Sequence, residues 1–401
     1  MFEAITFRNT IGPGPLIDIG ALAEALIFYG RVVVAANSGT IEHLLAHIPP
    51  FILLDLLRDG RLEIHYMEDN TGVSTNKLSN GRSLHSLIKF SSPDHAIEKV
   101  GPQKFRNAAG NTSQAKIGAS QFTRLLKRLN YSGFDQESLL QAFSHDETIQ
   151  GTVKALIHEV APNFGYPSDF RFKVEREHAG GFTVDTNIDF SRLNKIYHRV
   201  VPPEHSSLTD AYILAIIQEA YQGTFLAATL NTEIAVHPIE KVVQASAVEA
   251  VVKNYNQSRR SLESFTDMTL TGSHTIREAV NLGVVPFIEV VKLLDSADKF
   301  RHWLREQPAD ANLVKAYYQE TIKDSWIERL PGKTIRWSIF TSIGLGIDII
   351  GAGGVGTVAG ITAGAIDTFI VDKLIGGWTP HQFVERDLKS LFEQTTKANR
   401  R

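Results

Sequence analysis

Hydrophobic and polar positions repeat with two periods along this chain, and the switch from one to the other predicts its elements. From Ile17 to Tyr29 apolar residues recur at helical spacing, and Gly30 ends the helix. The β-branched run Val32-Val33-Val34-Ala35-Ala36 then reads as a buried strand. Asn37-Ser38-Gly39-Thr40 leads into a second helix, Ile41 to His47, and Pro49-Pro50 opens a third, Phe51 to Arg58. Leu62 to Tyr66 alternates as a strand. This strand-helix-helix-strand order predicts a crossover and a parallel pair. Short strands over Gly72 to Thr75 and Ser86 to Phe90, with an Asn80-Gly81 turn between them, are expected to complete the sheet.

The stretch from Gly101 to Ser120 is small and polar and is expected to be a linker or loop. Helical spacing resumes at Gln121 to Leu129, Glu137 to Phe143 and Thr148 to Val160. Phe170, Phe172 and Val174 alternate with charged residues, and after Ala179-Gly180-Gly181 the alternation continues from Phe182 to Phe190, which predicts a β-hairpin over 169–190. Leu208 to Leu230 is apolar on more than one face, as a central buried helix is. Further helices are expected over Ile239 to Met268, from Val285-Pro286 to about Leu304, and from Asn312 to Leu330, where Pro331-Gly332 stops the last. His381 to Phe392, after Pro380, predicts an amphipathic terminal helix. The fold class is therefore α+β and mainly helical. Its expected parts are an α/β domain over 1–100, a linker over 101–120, a helical domain with the hairpin over 121–332, a glycine-rich helical hairpin over 333–378, and a helix with a basic tail over 379–401.

Composition narrows the chemistry. The 401 residues are 43% hydrophobic and 21% charged with a formal charge of −3, ordinary for a folded protein. The basic groups Arg124, Lys127 and Arg128, and the pair Arg259-Arg260, read as solvated helix faces with acids nearby, so no nucleic-acid partner is expected. With no cysteine, thiolate catalysis and cysteine-ligated metals are excluded. Early Glu3 and the absence of a basic-then-apolar start give the expectation of a cytoplasmic protein, at most peripheral to the inner membrane. No GxSxG, P-loop or zinc-helix motif occurs, and His145-Asp146, His158-Glu159 and Glu177-His178 are neighbours in sequence whose side chains diverge. No catalytic residue, metal or cofactor is expected, and the balance is against an enzyme. The one place suited to phosphate is the turn Ser38, Gly39 and Thr40, where small side chains meet a helix N-terminus; the plainer reading of that turn is a helix cap.

One stretch stands apart. Ser338 to Val371 carries only two charges, Asp348 and Asp367. Gly356, Gly360 and Gly364 recur every four residues, so one helical face has almost no side-chain volume and another backbone can come close. Gly351 to Gly356 is a poor helix interior, which predicts two antiparallel limbs, Trp337 to Ile350, containing Gly344, and Gly356 to Lys373. Trp337 and Trp378 would then lie at one end with Lys333, Arg336 and Lys373, the pattern of an interfacial anchor. Asp348 in lipid costs about 2.5 to 3.5 kcal/mol, which argues against constitutive spanning.

The segment resembles the glycine-zipper hairpins of bacterial membrane-active and pore-forming proteins, including effectors of toxin and phage-defence systems. The resemblance implies conditional membrane association or oligomerisation, with lipid and a homo-oligomer or protein partner as the expected contacts. The leading expectation is a non-enzymatic sensor or effector. The alternatives are a phosphate- or nucleotide-binding protein or enzyme using the α/β domain, and a soluble interaction scaffold.

Overall fold

A computed structural model of the protein describes residues 2–9, 16–67, 69–79, 81–91, 95–129, 143, 146–177, 181–236, 238–247, 249–270, 275–308, 312–323 and 380–398. The segment Trp337 to Trp378, with Gly344, Asp348, Gly356, Gly360, Gly364 and Asp367, lies outside the described residues. The fold is α+β with more helix than strand. It divides into two compact units, Phe2–Gln257 and Ser258–Arg401. Sheet strands on both sides of 101–120 come together within the first unit, and the expected boundary at 332 lies outside the described residues.

The first unit is built on a parallel sheet. Its strands are β1 (Ala4–Arg8), β2 (Arg31–Ala36) and β3 (Leu62–Tyr66), linked by helices α1 (Ile19–Phe28), α2 (Ser38–His47) and α3 (Pro50–Arg58). Val32 pairs with Ile5 on one side and Leu62 on the other. Burial from Val32 to Ala36 on both faces explains why this strand reads as a continuous apolar run. Asp18 caps α1 by accepting the Ala21 amide, and Asn37 caps α2 by accepting that of Thr40.

The strands β4 (Asp69–Lys77) and β5 (Ser83–Ser91) form, but they do not complete this sheet. They belong to a separate antiparallel sheet with β7 (Phe172–Arg176) and β8 (Phe182–Thr186), in the order β4-β5-β8-β7. The edge of β3 is instead taken by the short parallel strand β6 (Lys127–Arg128). The hairpin over 169–190 is present as β7 and β8, paired Val174 to Val184. Gly181 makes the junction possible: it sits at φ +79°, and a Cβ there would lie 2.6 Å from the His85 carbonyl.

A second correction concerns 101–120, which is helical. Helices α4 (His95–Ala109) and α5 (Ser113–Leu125) cover it. Their small, polar composition hid two anchors, Phe105 and Phe122, which are fully buried with ring centroids 5.8 Å apart. A Cβ on Gly118 would come within 2.8 Å of Phe105, so the glycine that looks like a loop residue is a close helix contact.

Next in the chain are α6 (Asp146–Val160), α7 (Phe190–Tyr197), α8 (Asp210–Leu230), β9 (Glu233–Ile234), α9 (Pro238–Ala247) and α10 (Glu249–Thr269). At 21 residues, α8 is about 31 Å long. Ile213, Ile217 and Ala220 of α8 join Val153, Leu156 and Ile157 of α6, Val243 of α9, and Phe172 and Phe182 of the hairpin in one core. Asn231, at φ +50°, ends the helix and turns the chain into β9, which pairs with β1 in parallel.

The second unit has its own core. Helices α11 (Ile276–Asn281), α12 (Phe287–Lys292), α13 (Leu294–Glu306) and α14 (Leu313–Lys323) precede α15 (Pro380–Gln382), which runs through a π-helical turn (Phe383–Leu388) into α16 (Lys389–Ala398). The Phe265 and Tyr317 rings meet edge to face with centroids 5.1 Å apart, and Phe300 lies 5.1 Å from Phe383. The turn exposes Glu385 and Arg386 while burying Phe383, Val384 and Leu388, so it aims the apolar side of the terminal helix at that cluster.

Candidate functional site: the carboxyl edge of the parallel sheet

The parallel sheet runs β6-β3-β2-β1-β9. From β1 the chain adds strands outward on one side, then returns with β9 on the other. In open α/β sheets such a reversal of strand order is where ligands bind, outside the carboxyl ends of the strands flanking it. That place is β1 and β9.

Arg8 is the last residue of β1. Thr6 and Arg8 share one face of the strand, because side chains alternate. On that face Thr6 Oγ1 lies 2.6 Å from Thr232 Oγ1, and Arg8 meets α8. The Arg8 guanidinium pairs with the Glu219 carboxylate, donates to the Glu219 carbonyl at 2.6 Å and to the Asn9 carbonyl at 2.9 Å, and pairs with Glu240 Oε2 at 2.9 Å. Gly223, one turn along α8, leaves the room: a Cβ there would be 2.6 Å from Arg8 Nε. The group is almost dry, with Arg8, Glu219 and Glu240 side chains 2%, 12% and 4% exposed.

Two carboxylates share one cation. Burial pushes the Glu240 carboxyl up to about 7; Arg8 opposes the shift and Glu219 adds to it. Glu240 thus holds or releases a proton near neutrality, at the first turn of the helix that follows β9.

The turn Ser38, Gly39 and Thr40 lies at the same edge, after β2. Asn37 Oδ1 accepts from Thr40 N at 2.9 Å and Thr40 Oγ1 at 3.0 Å, and the Ile41 amide goes to the Asn37 carbonyl. The amides of Ser38 and Gly39, ahead of the first intrahelical bond, remain as the helix's outward donors. Thr40 is fully buried and serves the cap, while Ser38 is half-buried and Gly39 exposed.

A second polar chain joins the antiparallel sheet to the start of α8. His85, fully buried, has Nδ1 3.0 Å from Thr75 Oγ1 and Nε2 3.3 Å from Asp210 Oδ2. The hydrogen bond from His85 holds the Asp210 carboxyl below its usual range against partial burial, helped by the Ala211 amide. Of the neighbouring pairs in sequence, His158 and Glu159 are both exposed on α6, and Glu177 accepts from Thr183, while His145 and His178 lie outside the described residues.

The sequence reading missed Arg8, Glu219, Glu240 and His85. The usable signal was polarity in the wrong place: Gln218, Glu219 and Gln222 interrupt an otherwise apolar helix, and Arg8 closes a buried strand. Among the described residues no three His, Asp or Glu side chains converge as metal ligands, and no helix is long and apolar enough to cross a membrane. The chain matches no family model, no curated protein and no solved structure.

Proposed function

We propose that this chain is a sensor-effector protein. Its α/β region receives a small anionic ligand at the carboxyl edge of the parallel sheet, and the glycine-rich segment Trp337 to Trp378 carries the output as conditional membrane association or oligomerisation. The observation that supports the ligand half is the reversal of strand order beside β1, which gathers the Ser38-Gly39 amides and the Arg8-Glu240 pair at one edge. The output half rests on the glycine pattern and the flanking tryptophans.

The test joins the halves. Full-length protein is screened by thermal shift against nucleotides and phosphorylated metabolites, then mixed with anionic liposomes with and without the stabilising compound. The expected result is a rise in Tm that Ser38→Glu abolishes, together with ligand-dependent flotation and dye release. Glutamate at the first helical position favours the helix, so this variant keeps its fold while repelling an anion. Neither a shift nor flotation is the result a plain interaction scaffold gives, and it would overturn the reading.

A further inference from the structure

The flank formed by α4 and α5 lies in a stretch of the chain rich in cations. From Lys99 to Phe134 the sequence holds seven Lys and Arg residues and no Asp or Glu, in a chain whose net charge is −3. The structure gives this imbalance a shape. An open hollow of about 490 Å³ lies between the two helices, lined by Pro102, Lys116, Ala119, Ser120, Thr123 and Arg124.

Lys116, Ser120 and Arg124 fall at i, i+4 and i+8, a single stripe along α5 with its two ends about 12 Å apart. All three are exposed, and among the described residues no ion pair engages either cation. Lys127 differs, since Glu63 of β3 takes it at 2.9 Å. Thr123 donates its hydroxyl to the Ala119 carbonyl at 3.1 Å, so it offers the hollow a methyl group. The lining is mostly apolar, with Lys116, Ser120 and Arg124 contributed by α5. Beneath it Phe105, Gly118 and Phe122 lock the helices together, so the donors stand on a rigid base.

We propose that this hollow is a second binding site, distinct from the carboxyl edge, for a small oligophosphate ligand of the nucleoside di- or triphosphate class. Two long cationic side chains reach inward from 12 Å apart to span adjacent phosphates, and Ser120 donates between them. The body of the ligand lies on the apolar lining. The cavity's size is that of a small-molecule site. Both aromatic rings of the helix pair, Phe105 and Phe122, are buried, so among the described residues of α4 and α5 there is no exposed stacking platform of the kind single-stranded nucleic acid uses.

The test is calorimetric titration of full-length protein with ATP and with pyrophosphate, comparing wild type, Lys116→Glu/Arg124→Glu and Ser38→Glu. Lys116 and Arg124 are exposed and Ser38 is half-buried, and thermal melts check that the fold is kept. The expected result is a loss of about tenfold or more in affinity for both probes in the double variant, and weakening with added salt. Equal binding by wild type and the double variant, or no binding by wild type, overturns the proposal. So does a single-stranded oligonucleotide, or a vesicle containing phosphatidylglycerol, that binds through Lys116 and Arg124 when ATP and pyrophosphate do not. Loss confined to Ser38→Glu would place the ligand at the carboxyl edge and overturn only this site; loss confined to the double variant leaves the carboxyl-edge reading to its own test.

Discussion

Helix α8 touches two buried ionic groups, and they behave in opposite ways. At its first residue Asp210 meets His85, and the carboxyl is held down. At its middle Glu219 and Arg8 meet Glu240, and the Glu240 carboxyl is pushed up to about 7. Both carboxylates have a basic partner, but the balance differs: for Asp210, 26% exposed, the hydrogen bond from His85 outweighs burial, whereas for Glu240, 4% exposed and sharing Arg8 with a second carboxylate, burial outweighs the partner. A buried ion pair with a surplus charge of one sign places a proton near neutral pH; a partly exposed carboxylate with its own buried histidine stays below the usual carboxylate range.

That contrast can be broken most forcefully at Arg8. Arg8→Met leaves two carboxylates buried without a cation and is expected to cost about 3 to 5 kcal/mol at pH 8 in urea denaturation. The cost shrinks toward pH 5, where Glu240 takes a proton; a pH-independent loss would show that packing rather than charge holds the group together.

Glu240 itself gives the next largest effect. Its folded-state value lies above that of the unfolded chain, so the folded state binds the extra proton between about pH 4.5 and 7. Stability from this group is therefore full below its unfolded value and falls as pH rises through about 7, by about 3 kcal/mol in all. Glu240→Gln is expected to remove that slope, read as the difference between wild-type and variant unfolding free energies at pH 5 and pH 8. Parallel curves for the two proteins would mean that Glu240 does not titrate in this range.

Asp210 is expected to give the smallest and opposite effect. Its contribution is present above the unfolded carboxyl's range and is lost as pH falls through the depressed folded value. Asp210→Asn should cost about 1 kcal/mol at pH 7, a figure lowered for its partial exposure, and nothing once acid has titrated the wild-type carboxyl. If the cost instead persisted into acid, shape at the start of α8 would matter more than charge.

Legibility in the sequence tracked how local each interaction is. The run from Val32 to Ala36, the hairpin pairing Val174 with Val184, and the apolar span that became α8 were readable because burial imposes a period on consecutive residues. The helices over 101–120 were not, since Gly118 and the small residues around it resemble a loop until Phe105 is seen packed against them. The Ser38-Gly39-Thr40 turn was visible as a helix start, and Asn37 proves to be the cap. Arg8, Glu219 and Glu240 come from three elements far apart in sequence, and no local spacing brings them together.

The sequence by itself determined the periods, and hence the existence of most helices and strands, because side-chain direction repeats within a few residues. Only the tertiary structure decided that β4 and β5 leave the parallel sheet, that β9 returns to the far side of β1, and that one cation must serve two buried acids. The reason is that strand pairing and desolvation depend on which surfaces meet, and those meetings are set by the whole chain's burial rather than by any one segment's pattern.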